Sequence, residues 1–166
     1  MTHRVDVLDP LAVGLSWLGS YGLVWLVLAL IVAILQRRPA VFLATALATL
    51  GADALATGLK HAIGRERPYV EHPLPEPLMT THFDLSLPSG HAATSFAGAT
   101  LLALLVPRLG PAVYALAVLV SLSRVYVGVH FPLDIVAGAA LGAAVGWAVA
   151  RLARRRSPVR RPAGVA

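Results

Sequence analysis

The chain contains no cysteine, and a single lysine, Lys60, stands against thirteen arginines. It is also poor in charge: 13% of its residues are Asp, Glu, Lys or Arg, where a soluble domain carries about 25%. Without cysteine there can be no disulfide and no thiolate metal site. The eight acidic residues are scattered, so no carboxylate cluster stands ready to hold magnesium. Apolar side chains take the place of charge, at 57% of the sequence and a mean hydropathy of +0.73. That excess excludes an ordinary soluble domain and fits a polytopic membrane protein. At 166 residues there is room for one domain.

A membrane-spanning helix needs about 20 predominantly apolar residues. The apolar runs predict helices over 16–36, 40–60, 90–107, 112–127 and 132–151. The expectation is therefore an all-α membrane helix bundle with five transmembrane helices. Residues 8–22 add an interfacial helix or a shortened sixth span. Residues 1–154 form the domain and 155–166 a disordered basic tail. The N-terminus does not read as a cleaved signal peptide, because Asp6 and Asp9 follow Arg4 and the apolar run is too long. Residues 61–88, with Pro68, Pro73, Pro75, Pro77 and Pro88, read as a loop long enough to carry function. His61, His72, His82, Glu66, Glu71, Glu76 and Asp84 are expected to be solvated there. Trp17, Trp25 and Trp147 are expected to be interface anchors. Asp53, inside the second span, is expected to be a structural partner. The small residues of "GAALGAAVGW", 138–147, predict close helix packing within the bundle.

Charge fixes an expected orientation. Arg37, Arg38, Arg108 and the cluster of Arg151, Arg154, Arg155, Arg156, Arg160 and Arg161 fall on one side of a five-span chain. The positive-inside rule makes that side cytoplasmic. The C-terminal arginines then face anionic lipid rather than nucleic acid. The 61–88 loop and the 128–131 turn fall on the opposite, extracytoplasmic side.

Three polar clusters gather on that outer side. "KHAIGRERP", 60–68, places Lys60 and Arg67 where basic residues need a reason beyond topology. "PSGH", 88–91, offers Ser89 as a helix N-cap, free first-turn amides that favour an anion, and Gly90, which lets an anion approach the backbone. His91 follows at the helix mouth. "SRVYVGVHFPLD", 123–134, places His130 and Asp134 four residues apart, on one helical face. An aspartate bonded to one ring nitrogen fixes the tautomer and leaves the other nitrogen to act. Arg124 supplies a planar fork for phosphate oxygens. Three cations, two imidazoles and one orienting acid make a pocket for a multiply charged oxyanion. With no carboxylate cluster, the cations would stabilise the reacting charge themselves. Spacing alone does not say which histidine attacks. A transporter would also place polar groups within helices, but here they gather at one face and no inverted repeat accompanies them.

In order and spacing, Lys60-x6-Arg67-Pro68, Pro88-Ser89-Gly90-His91 and Ser123-Arg124-x5-His130-x3-Asp134 resemble the three-part signature of the type 2 phosphatidic acid phosphatases, or lipid phosphate phosphatases. The resemblance covers about residues 40–150. It implies a metal-independent lipid phosphatase without a cofactor, working through a phosphohistidine. By that resemblance His130 is the nucleophile and Asp134 orients it. His91 protonates the leaving oxygen and then activates water. Lys60, Arg67, Ser89, Gly90 and Arg124 bind the phosphoryl group. The implied partner is a lipid phosphate in a bilayer, and the chain is similar to compact bacterial undecaprenyl-diphosphate phosphatases. The expected substrate is a polyprenyl (di)phosphate, with phosphatidylglycerophosphate, phosphatidate or a prenyl-phospho-sugar as alternatives. The active site is expected at the extracytoplasmic face of the plasma membrane. Nothing in the sequence sets the oligomeric state.

Overall fold

In the computed structural model, residues 5–71, 76–81 and 85–156 are described. The order is α1 (Asp9–Leu18), a 3₁₀ turn (Ser20–Gly22), α2 (Leu23–Leu35), α3 (Pro39–Ile63), the short α4 (Pro68–Glu71), α5 (Gly90–Leu105), a second 3₁₀ turn (Pro107–Leu109), α6 (Gly110–Tyr126) and α7 (Pro132–Arg156). No strand occurs among the described residues.

The bundle is inside-out relative to a soluble protein. Its buried positions are mostly small: Ala29, Ala48, Ala52, Ala56, Ala93, Ala97, Ala99 and Ala117 are all fully buried. Large side chains such as Leu43, Leu47, Leu50, Leu122 and Val136 are exposed. Lipid is as apolar as leucine, so burying leucine gains little there, and close approach of small-residue faces supplies the packing. Among the described residues three helices are long and apolar enough to cross a membrane, and α1 and α2, bent by 49° at their break, would make a fourth if counted as one span. α5 has 16 residues and falls short of that length. It is the central helix, packed against α3, α6 and α7, with nearly every side chain from Gly90 to Leu102 buried.

Glycines let α7 lie directly on α5. A Cβ at Gly142 would sit 2.1 Å from the Ala93 carbonyl oxygen, and one at Gly138 would sit 2.4 Å from that of Ser89. The small-residue stripe thus serves packing inside the bundle, and it brings the start of α7 to the start of α5.

Two expectations about the N-terminal third change. The first span is broken, because Tyr21 and Gly22 adopt left-handed φ angles of 54° and 67°. α1 is therefore a separate helix laid antiparallel on α6. Asp9 accepts a hydrogen bond from Tyr126 (2.8 Å), and the Ser16 hydroxyl meets that of Ser123 (3.1 Å). Trp25 is not an interface anchor. It is fully buried, its indole N–H bonds Ser95 (3.2 Å), and Gly98 leaves the space for its ring. Trp17 and Trp147 are exposed, 66% and 49%.

At the other end of the chain α7 runs to Arg156, beyond the expected stop near 151. The tail beyond it, and the loop residues His72, His82 and Asp84, lie outside the described residues. The described loop residues are well tied. Glu66 bridges Leu85, the Ser86 amide donates to the Arg65 carbonyl (2.8 Å), and the Leu78 amide donates to that of Val127 (3.0 Å).

Candidate active site

Four helix ends meet at one end of the bundle: the C-termini of α3 and α6 and the N-termini of α5 and α7. The main chain ties the last two, since the Ser89 amide donates to the Asp134 carbonyl at 2.9 Å. Ser89 caps α5, its hydroxyl accepting from the Ala92 amide at 3.4 Å. The buried Gly90 follows, and a Cβ there would lie 3.4 Å from both Lys60 Nζ and Asp53 Oδ1. Lys60 sits in the last turn of α3, not at its end, because the helix continues to Ile63 and stops at Gly64, which is left-handed at φ 69°. Asp53 lies two turns earlier on the same helix and its carboxylate approaches the same spot, a negative charge near Lys60.

His130 is buried between α6 and α7. Its Nδ1 faces Asp134 Oδ2 at 3.3 Å, and its Nε2 faces Arg67 Nη1 at 3.4 Å. This network assigns the ring proton to Nδ1 and the lone pair to Nε2. Burial pushes His130 below the ordinary imidazole range. Arg67, Arg124 and Lys60 lower it further, against the opposing pull of Asp134. The ring is therefore neutral at physiological pH, with a lone pair on Nε2. Asp134 is fully buried, and Oδ2 also accepts the Phe131 amide at 2.8 Å. Arg67 is anchored by donating to the Val129 carbonyl at 2.8 Å.

His91 enters from the other side. Its ring lies beside the Ser16 carbonyl of α1 and within electrostatic reach of Arg124, His130 and Lys60. The close approach is possible because position 19 is glycine: a Cβ there would meet the His91 ring at 3.2 Å. His91 Nε2 and Arg124 Nε are buried with no hydrogen-bond partner among the described residues. Unpaired buried polar atoms are costly in the free protein, and both belong to the cationic cluster. The Arg124 guanidinium reaches the soft Met79 Sδ at 3.9 Å.

All eight residues singled out from the sequence thus come together: Lys60, Arg67, Ser89, Gly90, His91, Arg124, His130 and Asp134. Among the described residues no group of three His, Asp or Glu side chains is placed to hold a metal. Sequence reasoning missed Arg65, whose Nη1 donates to Asp134 Oδ1 at 3.1 Å. The signal was available, since Arg65 is one more basic residue in the flank that carries Lys60 and Arg67. It also missed the Ser16 carbonyl, which no side-chain pattern could reveal.

The family model described as the PAP2 superfamily matches residues 17–158. The chain belongs to the PAP2 superfamily. It is a multi-pass membrane phosphatase acting on lipid phosphates, as its relatives are. A decaprenylphosphoryl-5-phosphoribose phosphatase of Mycobacterium tuberculosis is 39% identical over 134 residues, covering 80% of this chain and 73% of that one. An undecaprenyl-diphosphatase of Sulfolobus acidocaldarius is 36% identical over 152 residues, covering 87% and 70%. Among solved structures, the transmembrane PAP2-type phosphatidylglycerolphosphate phosphatase of Bacillus subtilis superposes with a TM-score of 0.76 at 25% identity, covering 95% of this chain and 82% of that one. Aquifex aeolicus LpxE gives 0.77 at 30% identity, covering 90% and 88%. The site therefore belongs to a PAP2 phosphatase whose relatives act on differing lipid headgroups.

Proposed function

We propose that this PAP2 phosphatase removes phosphate from a polyprenyl-anchored lipid at the extracytoplasmic face of the plasma membrane, through a phosphohistidine on His130. One observation carries the reading: His91 and Arg124 hold unpaired buried nitrogens within a cluster that also contains Lys60, Arg67 and His130. A phosphoryl group satisfies those nitrogens and neutralises the cations. His130 Nε2 attacks phosphorus, and Asp134 holds the proton on Nδ1 as the ring becomes cationic. Lys60, Arg67, Arg124, Ser89 and the Gly90 amide bind the equatorial oxygens, where charge accumulates. Once the anionic phosphoryl group is bound, His91 is held as the imidazolium and gives its Nε2 proton to the leaving oxygen, returning to the neutral ring. It then takes one from the water that releases phosphate from His130.

The polyprenyl tail rests on two relatives whose names specify prenyl lipids. They differ in headgroup, and the higher identity favours a phosphorylated sugar on polyprenyl phosphate as a second reading beside the diphosphate. The test is released phosphate from purified protein in detergent with prenyl diphosphate, prenyl phosphate, a prenyl-phospho-sugar phosphate, phosphatidate and phosphatidylglycerophosphate. We expect a prenyl lipid to lead by about tenfold or more in kcat/KM, a difference of about 1.4 kcal/mol, and activity to survive excess EDTA. Preference for a glycerolipid, or loss with chelator, would refute the substrate class or the metal-free chemistry respectively.

The charge distribution supports this sidedness. The basic residues of the described chain outside the site and its loop, Arg37, Arg38, Arg108, Arg151, Arg154 and Arg155, lie at the end of the bundle opposite His130. α7 alone separates the two ends by about 36 Å at 1.5 Å per residue. In this cysteine-free chain a membrane-impermeant maleimide applied to intact cells is expected to label Glu66→Cys and spare Arg108→Cys. The reverse pattern would place the site in the cytoplasm.

A further inference from the structure

We infer that Arg65 is a positioning residue for the nucleophile, acting through Asp134. The inference rests on His130 being the attacking group. Asp134 is fully buried and offers two oxygens. Oδ2 is occupied by the Phe131 amide at 2.8 Å and His130 Nδ1 at 3.3 Å. Oδ1 receives Arg65 Nη1 at 3.1 Å. Without that donor Oδ1 would be a buried, unpaired carboxylate oxygen, and the group could turn to share its other bonds. With it, the carboxylate is held at three points, and Oδ2 stays directed at Nδ1.

Arg65 is itself fixed. Its guanidinium stacks 4.1 Å over the Phe131 ring, and its carbonyl accepts the Ser86 amide at 2.8 Å and the Ser86 hydroxyl at 3.3 Å. The Glu66–Leu85 bridge makes this segment locally extended, so residues 65 and 67 fall on the same side of the chain. Arg67 meets His130 Nε2, where phosphorus would bond. Arg65 meets the aspartate behind Nδ1. Two arginines two residues apart thus grip the front and the back of one imidazole–carboxylate pair. The position of Arg65 behind Asp134 separates it from the phosphoryl ligands, so its effect falls on the rate of attack and not on capture of the lipid.

The test compares wild type, Arg65→Met and Arg65→Lys on one lipid phosphate across pH, with rates normalised to the monodisperse protein recovered by size exclusion in detergent. Arg65→Met is expected to lose about ten- to a hundredfold in kcat, the loss typical when an outer partner that orients a reacting group is removed, with KM within about twofold. The charged groups facing His130 are Lys60 from α3, Arg67 from the loop, His91 from α5, Arg124 from α6 and Asp134 from α7. Removing the Arg65 cation leaves Asp134 with more charge to share with His130, which favours the imidazolium. The acid limb of kcat/KM should therefore move to higher pH in Arg65→Met, by about half a unit or more. Arg65→Lys keeps the charge, so it should hold the limb near wild type and recover part of kcat. A raised KM at unchanged kcat would make Arg65 a phosphate ligand and overturn the inference. So would full activity per folded site, or a loss with the acid limb unmoved. Failure of the underlying reading looks different, because His130→Ala would then release phosphate in the same assay.

Discussion

His130→Ala is expected to lower phosphate release by at least about a thousandfold, to the level that binding and electrostatics alone sustain without a nucleophile. Water cannot take the ring's place efficiently. The site presents Nε2 at one position, against Arg67 at 3.4 Å, and a water there would lack a base behind it. The variant should still fold. Asp134, the buried group most exposed to the loss, keeps the Phe131 amide on Oδ2 and Arg65 on Oδ1, so no buried charge is left unpaired. The remaining cost is that of a cavity and one lost hydrogen bond, about 1–3 kcal/mol. Folded yield and phosphate release measured on the same purified sample separate the two effects. Near-normal turnover would refute the assignment.

His91→Gln is expected to cost about 10²–10⁴-fold on a phosphate monoester, the range for a positioned general acid. The loss should depend on the leaving group. When the lipid leaves as an alcohol, its oxygen must be protonated as the bond breaks, and His91 Nε2 is the buried ring nitrogen free to do so. When a prenyl diphosphate is cut between its phosphates, the departing group is itself a stable phosphate anion and needs little help. The variant should therefore be impaired less in phosphoryl transfer to His130 from the diphosphate than from the monoester. It should be impaired equally in releasing phosphate from His130, since that step needs a base for water whatever the substrate was. Rapid mixing that resolves the two steps checks this, and equal losses on both substrates in the first step would exclude His91 as the acid.

Much of this arrangement is legible in the sequence. Motif spacing located the eight residues because each lies at or near a helix end, and helix ends are announced locally: Gly64 stops α3, Ser89 caps α5 and Pro132 opens α7. What stayed hidden depends on contacts between distant segments. Trp25 looked like an interface residue because its inward direction is set by Gly98, seventy-three residues away. The break at Tyr21 and Gly22 was marked only by the Gly19–Gly22 stretch, which the apolar residues on either side outweighed until the packing of α1 on α6 gave it a direction. The Ser16 carbonyl beside His91 is main chain, and main chain carries no sequence signal. Arg65 was visible but indistinct. Two arginines in one short flank read alike until the fold sends one to Asp134 and the other to His130.

The central claim is that His130 carries the phosphoryl group between substrate and water. It is tested most directly by quenching turnover in alkali, where a phosphorus–nitrogen bond survives, and mapping the phosphate by peptide mass spectrometry. The account predicts phosphate on His130, accumulating further in His91→Gln and absent from His130→Ala. Phosphate on His91 instead, or an active enzyme with no phosphopeptide in either background, would contradict it.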